Sequence, residues 1–289
     1  MLKLLYVSKW NESLDLAHND LFTLVNVDGL TTAATDISSI VIGGIDGDSI
    51  NNIQAQPRGI IFDLRIKNGV NVESAKRAIL NIIKLKQSCE LQWTQNEKTL
   101  TIKGTVDTIT MPRFNNEVTM QVSIHCGEPF WEDLNEILSE INEFIPLHYF
   151  TDYPNDMLYF VDEGIPFGEY DLSRTRTFNN TGDVAVGMTI EVIALDTVTN
   201  PIIYGQGGTF FGVGYGTRSL TMNEGDVLII NTRAGEKSVT LNGVSQLDKI
   251  KPRSTWLQLE AGENEFSIDS DESAVDNMIF TLEYKQRYI

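Results

Sequence analysis

Cysteine is almost absent from this 289-residue chain: Cys89 and Cys126 are the only two. So few thiols build no disulfide scaffold and suit a reducing compartment. Basic residues are scarce as well, with 22 Lys+Arg against 40 Asp+Glu and a formal net charge of −18. Nucleic-acid binders draw much of their affinity from clustered Lys and Arg, so this balance argues against sequence-specific nucleic-acid recognition. No apolar run nears the roughly 18–20 residues of a bilayer-spanning helix, which argues against membrane insertion. The opening stretch from Met1 to Lys9 turns charged too early for a secretory h-region.

Chemistry-bearing motifs are equally thin. Histidine is confined to His18, His125 and His148. His125 and Cys126 are neighbours on an alternating strand, so their side chains should point to opposite faces rather than pair as base and nucleophile. There is no G-x-S-x-G elbow, no C-x-x-C and no H-E-x-x-H. Asp269-Ser270-Asp271-Glu272-Ser273 lacks the glycine and glutamate of a calcium loop and reads as a polar turn, as does Asp46-Gly47-Asp48. Among 40 acids, no single carboxylate pair is informative. We therefore assign no catalytic, metal-binding or cofactor-binding residue, and expect a protein that is not an enzyme and needs no cofactor.

What is present is a globular composition, 42% hydrophobic and 21% charged, with its charge very unevenly placed. Residues 1–130 carry 12 Lys+Arg and 14 Asp+Glu, a net of −2; residues 131–289 carry 10 and 26, a net of −16. Trp131 to Asp171 holds eleven acidic residues and no Lys or Arg. This break suggests a β domain over 1–130, an acidic connector over 131–172, and a second β domain over 173–289. The acidic run is either a solvated connector or a docking surface for a basic partner.

In the first part, Glu73 to Lys86 places Ala75, Ala78, Ile79, Ile82 and Ile83 on one helical stripe. Strands flank it at 60–66, 100–106 and 118–124, with Gly43-Gly44, Asn51-Asn52 and Asn115-Asn116 read as loops between strands. Trp131 to Ile145 reads as an amphipathic helix stopped by Pro146, with Leu134, Ile137, Leu138, Ile141, Phe144 and Ile145 as its apolar stripe. Beyond Ser173 short apolar runs alternate with turn residues such as Asn242-Gly243, the pattern of an antiparallel sandwich. The stretch Gly205 to Gly216 has no phosphate-loop Lys and no surrounding βαβ unit. It reads as a flexible hairpin loop whose Phe210, Phe211 and Tyr215 are candidate contacts for a partner or a sugar. Trp256 sits in an alternating run and reads as core.

The order of these features resembles the distal tail protein (Dit) family of long-tailed bacteriophages. The resemblance is carried by the Glu73–Lys86 helix, by Thr101 to Val106, and by Cys126-Gly127-Glu128-Pro129-Phe130-Trp131. It continues through Phe178 to Val184, Gly225-Asp226-Val227, Ile230-Asn231-Thr232-Arg233 and Leu259 to Asn264. It implies a mainly β, two-domain fold: an N-terminal β-sandwich with one attached helix, and a C-terminal sandwich like galectins and carbohydrate-binding modules. It also implies a homohexameric ring, or hub, at the virion tail tip, assembled in the bacterial host cytoplasm. Such a hub joins the tail-tube protein to tail-tip, tail-associated and receptor-binding proteins. The family brings no catalytic residues. The alternative expectation is a carbohydrate-binding module that contacts host cell-wall polysaccharide through the C-terminal sandwich.

Overall fold

The computed structural model of the chain describes residues 3–44, 46–96, 98–111, 118–140, 144–146, 168–170, 175–271 and 277–289. It divides into two compact units, one of residues 1–134 with 287–289, the other of residues 135–286.

The first unit is one antiparallel sheet curled around a core. Its strands are β1 (Lys3–Ser8), β2 (Ser13–Asp15), β3 (Phe22–Asp28), β6 (Arg58–Ile66), β7 (Ser88–Gln95), β8 (Lys98–Thr110) and β9 (Thr119–Cys126), in the order β2-β1-β7-β8-β9-β6-β3. The strand alternation read from the sequence is realised directly. Ile60, Phe62, Leu64 and Ile66 of β6 face inward, as do Met120, Val122, Ile124 and Cys126 of β9. The expected sandwich of this unit is therefore a single sheet folded over its own buried face, and β8 makes the turn: it pairs β7 through Lys98–Thr105 and β9 from Thr105 onward, with a register shift between Val106 and Thr108.

Helix α1 (Val72–Ile82) closes that core with Ala75 and Ile79. Asn71 caps it by accepting from the Ser74 N–H at 3.0 Å, and Glu73 lies in the positively polarised first turn. It ends four residues before the expected Glu73–Lys86 helix does. Ile83 leaves helical conformation to reach the core, and Lys86 takes a positive φ of 62° as the chain turns into β7.

Between β3 and β6 the chain departs from the sheet and forms a separate hairpin of β4 (Thr35–Val41) and β5 (Asp48–Ala55), which pair only with each other. Gly43-Gly44 is its loop, as read, but Asn51-Asn52 lies within β5 rather than between strands, and Asn115-Asn116 falls outside the described residues.

The helix expected over Trp131 to Ile145 is corrected. Its described residues are strands: β10 (Trp131–Asp133), β11 (Ile137–Glu140) and β12 (Phe144–Pro146). β10 belongs to the first unit, where Trp131 is fully buried; Leu134 and Leu138, meant for the apolar stripe, are 43% and 64% exposed. The partners that win these residues all lie outside the segment: Arg287–Tyr288 and Met278–Tyr284 some 150 positions on for β10 and β11, and Leu100, Thr101 and Gly168–Tyr170 nearer by for β10 and β12. Local periodicity does not register them.

The second unit is the expected sandwich. β11, β15 (Thr189–Ala194), β20 (Val227–Asn231), β21 (Ser238–Leu241), β22 (Val244–Ser245) and β24 (Met278–Tyr284) form one sheet, ordered β11-β24-β15-β20-β21-β22. β14 (Thr175–Asn180), β17 (Ile202–Tyr204), β18 (Phe210–Gly212) and β23 (Gly262–Asp269) form the other, ordered β14-β23-β17-β18. β12 pairs β13 (Gly168–Tyr170), and β16 (Val198–Thr199) pairs β19 (Thr221–Met222). Ile190, Val192, Ile230 and Phe280 from the first sheet share one core with Phe178, Ile203, Phe211 and Phe266 from the second. The chain then returns to the first unit, where β25 (Arg287–Tyr288) pairs β10.

Candidate interaction surface

The residues singled out for chemistry are kept apart. Cys126 points into the core and His125 points outward, where it lines an open groove of about 650 Å³ with Lys9, Glu90 and Lys103. Both thiols are free and buried. Burial pushes Cys89 up to about 12 and Cys126 up to about 11, so both are neutral thiols at physiological pH rather than nucleophiles. Gly104 lies between them in the sheet; a Cβ there would come within 2.5 Å of Ile124 Cγ2 and 2.9 Å of Cys126 Sγ, so the glycine is a packing requirement. His18 stands 3.8 Å from Asp15, and His148 falls outside the described residues. Among the described residues no His, Cys, Asp and Glu group is arranged to hold a metal ion.

The aromatic trio of the glycine-rich stretch is divided. This stretch is not a loop throughout: β18 runs through Phe210–Gly212. Phe211 is buried and packs on Trp256 at 4.8 Å between ring centroids, which removes it as a contact residue. Phe210 faces the other way and meets Tyr204 at 6.3 Å on the outer face of its sheet. Tyr215 sits in a tight turn with Arg218.

The most conspicuous surface is one that sequence reading missed. In the β4–β5 hairpin, Ile37 lies opposite Ile53, Ser39 opposite Ile50, and Val41 opposite Asp48. Residues directly opposite share a face, so these form one side, with Asp36, Ser38, Ile40, Ser49, Asn52 and Gln54 on the other. A shift between Ser38 and Ser39 leaves Asn51 unpaired, and this bulge brings Ile50 to the same face as Ile53 despite their odd spacing. The result is a hairpin with an apolar side and a largely polar side. Ile37, Val41, Ile50 and Ile53 are 56%, 79%, 55% and 60% exposed. A two-stranded hairpin alone in water is marginal, and an apolar face of this kind marks a contact surface. The available signal was Asp36 to Val41 and Asp48 to Ile53, two β-branched runs around Gly43-Gly44.

Residues 181–288 match the family model of the siphovirus-type tail component, C-terminal domain. Over these residues the chain is similar to the siphovirus-type tail component family. As a whole, the chain is similar in fold to the Dit protein of phage SPP1, described as a paradigm of the hub adsorption apparatus in phages infecting Gram-positive hosts. The two align over 100% of both chains at 14% identity with a TM-score of 0.67. A chain of the phage P2 baseplate in its activated conformation aligns over 100% of both chains at 11% identity and a TM-score of 0.47. No curated protein matches the chain.

In this chain the segments that carry the resemblance build turns and strand ends. Asn180 donates to the carbonyls of Val184 and Leu259 and accepts from Gly182 N–H. Thr232 Oγ1 accepts from Met188 N–H and donates to Met188 O. Asn264 exchanges hydrogen bonds with Glu260 N–H and O. Asp226 accepts from Asn223 N–H and Asn242 Nδ2, which holds its carboxyl below the usual range. Asn180, Thr232 and Asn264 are thus buried polar groups whose hydrogen bonds are satisfied within their turns.

Proposed function

We propose that six copies of this chain close into a ring at the distal end of a phage tail. The ring joins the tail tube on one side to tail-tip, tail-associated or receptor-binding proteins on the other. The observation that carries this reading is the hairpin of β4 and β5, whose apolar face finds no cover among the described residues. Transferring Ile37, Val41, Ile50 and Ile53 to a neighbouring copy contributes on the order of 1–2 kcal/mol each. The sheet of the first unit ends in two different edges, β2 and β3, as a head-to-tail ring requires. Residues 1–130 are near neutral, so copies approach one another through this part with little repulsion. The number six, the tube and tip partners, the place at the virion tail tip and assembly in the host cytoplasm follow from the family resemblance. The test is negative-stain microscopy with native mass spectrometry of the full chain. Six-membered rings with a central opening support the reading; monomers or open chains that never close overturn it.

One observation favours a second role, binding of host cell-wall polysaccharide by the second unit. Tyr204 is 39% exposed and aligns with Phe210, Ser267 and Thr175 in one row across the outer sheet face, aromatic rings beside hydroxyls. A pull-down on purified host cell wall tests it: capture that is lost in Tyr204→Ala supports sugar binding, and no capture of the wild type removes it.

A further inference from the structure

Among the described residues the hairpin's strands pair only with each other, so its direction is set at its root. There Gln56 N–H donates to Ala34 O at 2.8 Å and closes the ladder. Immediately below, two buried side chains seize the carbonyls where the chain leaves β3. Arg58 Nη1 donates to Leu30 O at 2.9 Å and to Gly29 O at 3.3 Å; Trp131 Nε1 donates to the same Leu30 O at 3.0 Å. Arg58 is 2% exposed and Trp131 is fully buried, with the guanidinium 6.0 Å from the ring centroid. Gly29 has a φ of +85°, and a Cβ there would stand 2.1 Å from Gly59 O, so the departing strand runs hard against β6 at this point.

This arrangement is costly for a core. Arg58 Nε and Nη2 are buried and find no partner among the described residues, and no salt bridge joins the guanidinium to a carboxylate there. An apolar side chain of similar volume avoids that penalty. What it does not do is bond the two carbonyls from which the hairpin springs. β10, which carries Trp131, is itself fastened by Arg287, whose guanidinium reaches Glu132 at 2.6 Å and Glu128 at 2.8 Å.

We propose that Arg58 and Trp131 are positioning residues: a clamp on Leu30 O that fixes the angle of the hairpin and thereby permits ring closure. The inference rests on the ring reading above and adds to it which residues control assembly. Neither side chain reaches the hairpin's apolar face; they act through the backbone of its root.

The experiment uses the full chain, as wild type and as Arg58→Met, Arg58→Lys and Trp131→Phe. It reads three things: the unfolding transition, hydrogen exchange of 35–55 against the body, and the concentration at half-assembly from light scattering. Arg58→Met and Trp131→Phe should raise the half-assembly concentration at least tenfold and speed exchange in 35–55, with protection of β6 and β9 unchanged. Arg58→Lys, which keeps one donor, should recover part of the loss. The double variant should be at least as impaired as the weaker single, since with both donors gone Leu30 O keeps neither bond. Ile79→Val, a core change that lowers stability by a similar route without touching the root, should assemble as wild type does. If Arg58→Met fails to fold, Trp131→Phe carries the comparison. Clamp variants that remain folded and assemble at the wild-type concentration overturn the clamp alone. A wild type that stays monomeric at all concentrations overturns the ring and the clamp with it.

Discussion

Phe210 and Phe211 are neighbours with opposite fates, because successive residues of a strand point to opposite faces. Phe211→Ala should cost about 3–5 kcal/mol in urea unfolding, the range for emptying a buried aromatic site, whereas Phe210→Ala, which removes a half-buried ring packed on Tyr204, should cost clearly less. Gly104→Ala should cost about 1–3 kcal/mol, because its new methyl meets Ile124 and Cys126 inside a filled core. Just before β11, Glu136 lies beside Glu283 and Arg233, whose Nη2 is 3.1 Å from Glu136. Hydrogen bonding from Glu283 holds Glu136 below the usual carboxylate range, and the same bond raises Glu283. Stability from the lowered group is lost as pH falls through its folded value; stability from the raised group is lost as pH rises through its folded value. The pair therefore contributes most in the mildly acidic window between them. Glu283→Gln, which can still donate to Glu136, should flatten the loss of thermal stability on the alkaline side. An unchanged slope in the variant would show that other groups set it.

At the scale of elements, the chain was legible wherever the deciding contacts were local or where one face was plainly buried. Ile60 to Ile66 and Val118 to Ile124 gave strands by alternation; the stripe of Ala75, Ala78, Ile79, Ile82 and Ile83 gave the helix. Trp131 to Ile145 went wrong because its apolar spacing suits a helix, while β25 and β24, from the far end of the chain, supply strand partners to β10 and β11. The hairpin face was hidden for a different reason. Ile50 and Ile53 share a side only because Asn51 is bulged out, and pairing decides that, not spacing. The sugar-contact candidates were divided for want of a register that would tell Phe210 from Phe211. For the hairpin itself, Ile37→Asp with Ile53→Asp should leave the unfolding of the body within about 1 kcal/mol of wild type, since both residues are exposed in the single chain, and should abolish assembly.

For the whole molecule, the division of charge matters most. Residues 1–130 carry a net of −2 and residues 131–289 a net of −16. Copies brought together through the first unit keep their strongly charged second units soluble, and these repel one another. Salt screens such repulsion over about 10 Å at 0.1 M. Assembly should therefore strengthen between low and moderate salt, the opposite of an interface closed by ion pairs; weakening with salt would place ion pairs in the contact. The most direct measurement is the solution mass of the full chain, taken side by side for the wild type and for Ile37→Asp with Ile53→Asp. The account requires the wild type at about six times the 32.4 kDa chain mass and the folded variant at one chain mass. A variant that assembles as the wild type does, or a wild type that never exceeds one chain mass, contradicts it.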